Sequence, residues 1–128
     1  MKNLLLLSAL TIITGFMVGC SSVPKNCNLT GTWNYRFEEN GRDEVQTGSM
    51  SLVQDGYNLK GKCNDAFGEF FLSGSLDVTK IAIMGKRNDD KRDFQLSAEL
   101  TGENDFSGTF TTNQNTTGTL TAHRISNR

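Results

Sequence analysis

Beyond residue 27 the chain alternates apolar and polar positions with a period of two, and these runs recur every 8 to 14 residues between turn residues. In the first run, residues 31–39, Trp33, Tyr35 and Phe37 share one face, and Asn34, Arg36 and Glu38 the other. Successive side chains of a strand point to opposite faces, so this pattern predicts a half-buried strand. Asn40-Gly41 and Asp55-Gly56 are hairpin turn signals on either side of residues 45–54. The same grammar predicts strands over residues 57–63, 68–76, 80–86, 93–100, 105–112 and 117–125, the eighth and last. No 3.6-residue periodicity survives past residue 27.

A weak repeat places glycine between hydroxyl residues: Thr30-Gly31-Thr32, Ser73-Gly74-Ser75, Ser107-Gly108-Thr109 and Thr117-Gly118-Thr119. Glycine within strands weakens them, and its repetition is explained by curvature, where a small sheet bends to close on itself. Eight strands joined by short turns predict an all-β fold, an eight-stranded antiparallel up-and-down barrel; a sandwich would need longer crossovers. Its inward positions would hold Trp33, Tyr35, Phe37, Leu59, Phe70, Leu72, Ile81, Ile83, Phe94, Leu96, Phe106, Phe110 and Leu120. A barrel of this size is either filled by its own side chains or holds one small ligand. The pattern does not separate the two cases.

The first residues follow a different rule. Lys2 precedes a mainly apolar run over residues 4–18, 15 residues long. That is short for a membrane span and suits the apolar region of an export signal, expected as a helix. Met17, Val18, Gly19 and Cys20 close the run. This segment resembles the bacterial lipoprotein box, in which a small residue precedes the cysteine that is acylated and becomes the mature N-terminus. The resemblance implies a signal peptide over residues 1–19 and an acyl anchor, palmitate among its chains, on Cys20. Ser21 and Ser22 follow instead of the aspartate that retains such proteins at the inner membrane. The implied address is therefore the outer membrane, periplasmic side. Residues 20–27 would form a short linker reaching roughly 20 Å at full extension, and residues 28–126 the barrel domain.

With Cys20 set aside, Cys27 and Cys63 remain. Export to an oxidising compartment makes a disulfide between them the expectation, with two free thiols or a soft metal pair as alternatives. It would tie the start of the first strand to the end of the third. A formal net charge of −1 among 128 residues excludes a strongly basic nucleic-acid binder. His123 is the one histidine and falls on the outward parity of the last strand. The pairs Glu38-Glu39 and Asp89-Asp90 sit at turn edges, where carboxylates are expected to be solvated. No phosphate loop, dinucleotide fingerprint or Cys–His pair is present. The chain thus offers no catalytic constellation, metal set or cofactor motif, and it reads as a non-enzyme.

Leu29-Thr30-Gly31-Thr32-Trp33 resembles the Gly-x-Trp opening of the calycin superfamily: lipocalins, fatty-acid-binding proteins and avidins. The resemblance implies an eight-stranded barrel whose first-strand Trp33 packs under an arginine of the last strand, here Arg124, to close one end. Avidin-type biotin sites use several tryptophans, and this chain has a single one. No ligand-contacting residue is carried over. The expected function is a membrane-anchored binding module for a small apolar or amphipathic molecule. The alternative is a periplasmic protein-binding factor, such as a protease inhibitor or an envelope assembly accessory.

Overall fold

A computed structural model describes residues 27–89 and 91–128. The expected signal segment, Cys20 and the linker up to residue 26 lie outside the described residues. Eight strands follow one another: β1 (Gly31–Glu39), β2 (Gln46–Asp55), β3 (Asn58–Asp65), β4 (Gly68–Asp77), β5 (Lys80–Arg87), β6 (Asp93–Gly102), β7 (Asp105–Thr112) and β8 (Thr117–Ser126). Each pairs antiparallel with the next, and β8 returns to β1, so the sheet is a closed eight-stranded barrel. Closure removes both edges and leaves no unpaired ladder. The alternation that predicts the strands also builds the core, and Trp33, Tyr35 and Phe37 of β1 are buried between exposed Asn34, Arg36 and Glu38.

Two mid-strand glycines show how the sheet turns. A Cβ on Gly74 would fall on the Ala82 carbonyl of β5, and one on Gly108 would fall on the Ser97 carbonyl of β6. Adjacent strands approach so closely there that only hydrogen fits, which is what tight coiling of a small barrel demands.

The β2–β3, β4–β5 and β6–β7 turns gather at one end with the start of β1 and the close of β8; we call it the base. The four other connections form the mouth. At the base Trp33 is fully buried, its indole N–H donates to the Leu29 carbonyl at 3.0 Å, and its ring meets Phe106 at 5.0 Å. Arg124, opposite Trp33 in the β1–β8 register, lies 4.9 Å from that ring. Its guanidinium donates to the carbonyls of Asn28, Thr30 (3.1 Å) and Glu103 (2.7 Å), and its Nε to Asn104 Oδ1 at 3.0 Å. One planar fork thereby ties the entering chain, the β6–β7 turn and β8 together under the indole.

The expected Cys27–Cys63 disulfide is not formed: both are buried free thiols. Cys27 sits at the base, its Sγ 3.6 Å from the Glu103 carbonyl oxygen. Cys63 lies opposite Met50 and Phe70, toward the mouth. It is six residues beyond Tyr57, which neighbours Cys27 at the base. Those six residues amount to about 20 Å of strand, whereas bridged cysteines need Cα atoms within about 7 Å.

Candidate functional site

The two halves of the interior differ. The base half is solid: Leu29, Trp33, Leu52, Leu59, Ile81 and Phe106 are its largest fully buried side chains apart from Phe70, which lies higher. In the mouth half the inward side chains leave a cavity of about 40 Å³. Its walls are mainly apolar, including Phe37, Met50, Phe70, Leu72, Phe94 and Phe110. Space of this size takes about two or three waters.

One wall is polar. Tyr35 of β1 and Asp65 at the end of β3 converge, and the Tyr35 hydroxyl donates to Asp65 Oδ2 at 2.6 Å beside the Cys63 thiol. Burial pushes the Cys63 thiol up to about 12. Burial, with the neighbouring Cys63 and Asp65, holds the Tyr35 phenol well above its ordinary range. Both groups stay protonated at neutral pH, so this wall is a hydrogen-bonding surface without a thiolate nucleophile or a phenolate base.

The mouth is covered by side chains. Phe67, in the β3–β4 turn, is set by its own backbone N–H donating to Asp65 Oδ1 at 2.8 Å, and its ring lies 6.0 Å from Phe37. The Arg92 guanidinium lies 4.0 Å from the Phe67 ring centroid. Arg92 forms an ion pair with Glu39 and donates to Gln114 Oε1 at 3.0 Å. Arg42 holds the other Glu39 oxygen at 3.5 Å. All four mouth connections therefore contribute to one cover: Arg42 and Glu39, Phe67, Arg92, and Gln114.

The buried Glu39–Arg92 pair corrects the expectation that the Glu38-Glu39 carboxylates are solvated. Glu38 is exposed, but Glu39 is buried. Parity carries the signal: Glu39 continues the inward series Trp33, Tyr35, Phe37, and Arg92 precedes the inward series Phe94, Leu96, Ala98. Two opposite charges on inward parity at the same end of a barrel point to a buried pair. His123 lies on the outer wall, exposed, with Nδ1 2.8 Å from Asp105 Oδ1. Among the described residues no group of three or more His, Cys, Asp or Glu side chains converges on a metal position. Every buried side-chain nitrogen or oxygen there has a hydrogen-bond partner.

No protein-family model matches this chain, and no curated protein matches it in sequence. Solved structures do share its fold. A de novo designed fluorescence-activating β-barrel superposes with a TM-score of 0.64 at 12% identity, covering 80% of this chain and 100% of that one. A redesigned β-barrel, mFAP1, bound to DFHBI, gives 0.63 at 14% identity, covering 75% and 94%. A further redesigned barrel, b11L5F_LGL, gives 0.63 at 16% identity, covering 80% and 99%. At such identities the likeness is one of fold: this chain is a small closed β-barrel like theirs.

Proposed function

We propose that the protein is a non-enzymatic binding module that takes a small apolar or amphipathic molecule into the mouth half of its barrel. On this reading it works while tethered through Cys20 to the periplasmic face of the outer membrane. The observation that carries the proposal is the asymmetry of the interior: a packed base, and above it an apolar cavity covered by side chains and not by strands. Among barrels of the same architecture, mFAP1 is bound to DFHBI, which lends the reading support.

At rest the cavity is far smaller than the 300–1,000 Å³ typical of ligand pockets. Entry therefore requires Phe67 and Arg92 to swing out, which exchanges their mutual contact and the Glu39 pair for contact with the ligand. The apolar part of the guest would lie against Phe70, Leu72 and Phe94, and its polar part would face Tyr35, Asp65 or the displaced Arg92.

The test is titration with the neutral fluorescent probe N-phenyl-1-naphthylamine. Saturable one-to-one binding is expected. Phe67→Ala should tighten it by removing the cover, and Leu72→Trp should abolish it by filling the cavity. Absence of saturable binding in both the parent and Phe67→Ala would refute the reading.

A further inference from the structure

The base carries an apolar feature that ligand binding does not use. The β2–β3 and β4–β5 turns stand side by side there, joined by the Leu76 N–H donating to the Tyr57 carbonyl at 2.9 Å. Tyr57 is 76% exposed and Val78 64%. Val78 also holds a left-handed φ of +58°, a conformation that β-branched residues rarely adopt. Glycine would serve that turn without strain; valine instead keeps an apolar side chain at the tip. Backbone strain of this kind is a pointer to function.

Tyr57 and Val78 line a groove together with Cys27 and Asn28, where the chain enters the barrel. Twenty-six residues precede Cys27, including the apolar run 4–18 and Cys20. We propose that the base seats on a phospholipid surface, with Tyr57 and Val78 in the headgroup boundary and the mouth facing the aqueous compartment. The orientation rests on the anchor reading of Cys20. Residues 21–26 reach no further than roughly 20 Å, so an acylated Cys20 keeps Cys27 and the two turns beside it within about that distance of the bilayer. Tyrosine suits that boundary, with an apolar ring and a hydroxyl that stays wet.

Charge does not drive the seating. Asp55 and Asp77 flank the two apolar tips, Glu103 stands on the third base turn, and Lys80 faces Asp77 across the β4–β5 turn. Arg124 adds a second cation at the base, so the charges there nearly balance and the surface recognised is zwitterionic. A ligand then exchanges with the aqueous side, away from the membrane that holds the protein.

The full chain in phosphatidylcholine vesicles containing nitroxide-labelled lipid tests this, with an environment-sensitive dye on Asn58→Cys at the base or on Glu44→Cys at the mouth. Quenching at 58 is expected to exceed that at 44 by at least threefold. Equal quenching, stronger quenching at 44, or a blue shift at 58 before lipid is added, which would mean self-association, overturns the proposal. Cys20→Ser separates seating from anchoring: it releases the chain at low lipid, yet at high lipid quenching at 58 still exceeds that at 44. If Cys20 carries no acyl chain, the anchor reading falls and the same comparison still decides the seating. In the Cys20→Ser chain at high lipid, Val78→Gly provides a second readout, a raised thermal midpoint together with a severalfold weaker vesicle partition. A raised midpoint with unchanged partition also overturns the proposal.

Discussion

Replacing Arg92 with Met cuts the cover of the mouth at its buried ion pair. The Arg92 side chain is 10% exposed and its partner Glu39 4%. Removing one member of a buried ion pair strands the other, at a cost of about 3–5 kcal/mol. Here the loss is partly offset, because Arg42 Nε stays 3.5 Å from the second Glu39 oxygen. That side chain is 55% exposed, so its attraction is screened. The expected destabilisation is therefore about 2–3 kcal/mol. With a urea m-value of about 1–3 kcal/mol/M, the midpoint falls by roughly 0.7–3 M. The single tryptophan, fully buried at the base, reports unfolding by fluorescence and lies far from the change. Glu39→Met alone should also destabilise, by stranding Arg92 against the Phe67 ring and Gln114. The double variant Arg92→Met/Glu39→Met restores an uncharged, filled mouth and should return to within about 1 kcal/mol of the parent, since apolar replacement of a buried pair is often neutral. The coupling between the two sites is then about 2 kcal/mol or more. Additivity of the two single effects within about 0.5 kcal/mol would refute the assignment of a buried, mutually dependent pair.

Gly74→Ala drives a Cβ into the Ala82 carbonyl, and overpacking against backbone should lower stability by about 2–3 kcal/mol; Ser75→Ala, on the exposed face, should change it by less than about 0.5 kcal/mol. Arg124→Lys removes the fork that binds three carbonyls and Asn104 beneath Trp33; a loss of about 1–3 kcal/mol in thermal or urea unfolding is expected. Stability should fall as pH rises from about 8.5 toward 12. The folded chain keeps the Cys63 and Tyr35 protons, which the unfolded chain releases near pH 8.5 and 10, so each contributes a negative slope of up to about 1.4 kcal/mol per unit. Tyr35→Phe and Cys63→Ala should each flatten the alkaline limb of the urea-midpoint profile. Iodoacetamide at pH 8 should leave Cys27 and Cys63 unmodified in the folded chain and modify both in urea, read by peptide mass; a Cys27–Cys63 disulfide would instead block both until reduction.

What the sequence determined by itself is whatever depends on neighbours along the chain. The period of two sets which of Trp33, Asn34, Tyr35 and Arg36 face inward, because pleat parity is local. Turn residues such as Asp55-Gly56 set where strands stop, and the glycine repeat announces curvature before any pairing is known. Parity even places Glu39 and Arg92 inside, although charged residues at turn edges read first as solvated. Tertiary structure alone decided the distances between remote segments. It brought Glu39 to Arg92 across 53 positions and Arg124 beneath Trp33. It also held Cys27 and Cys63 apart, because β3 carries one thiol toward the mouth while the other stays at the base. Whether the interior is filled or hollow was likewise beyond the pattern, since the cavity is the small difference between the volume a closed barrel encloses and the volume of the side chains pointing into it. Closure sets the first quantity, and rotamers chosen against all eight strands at once set the second.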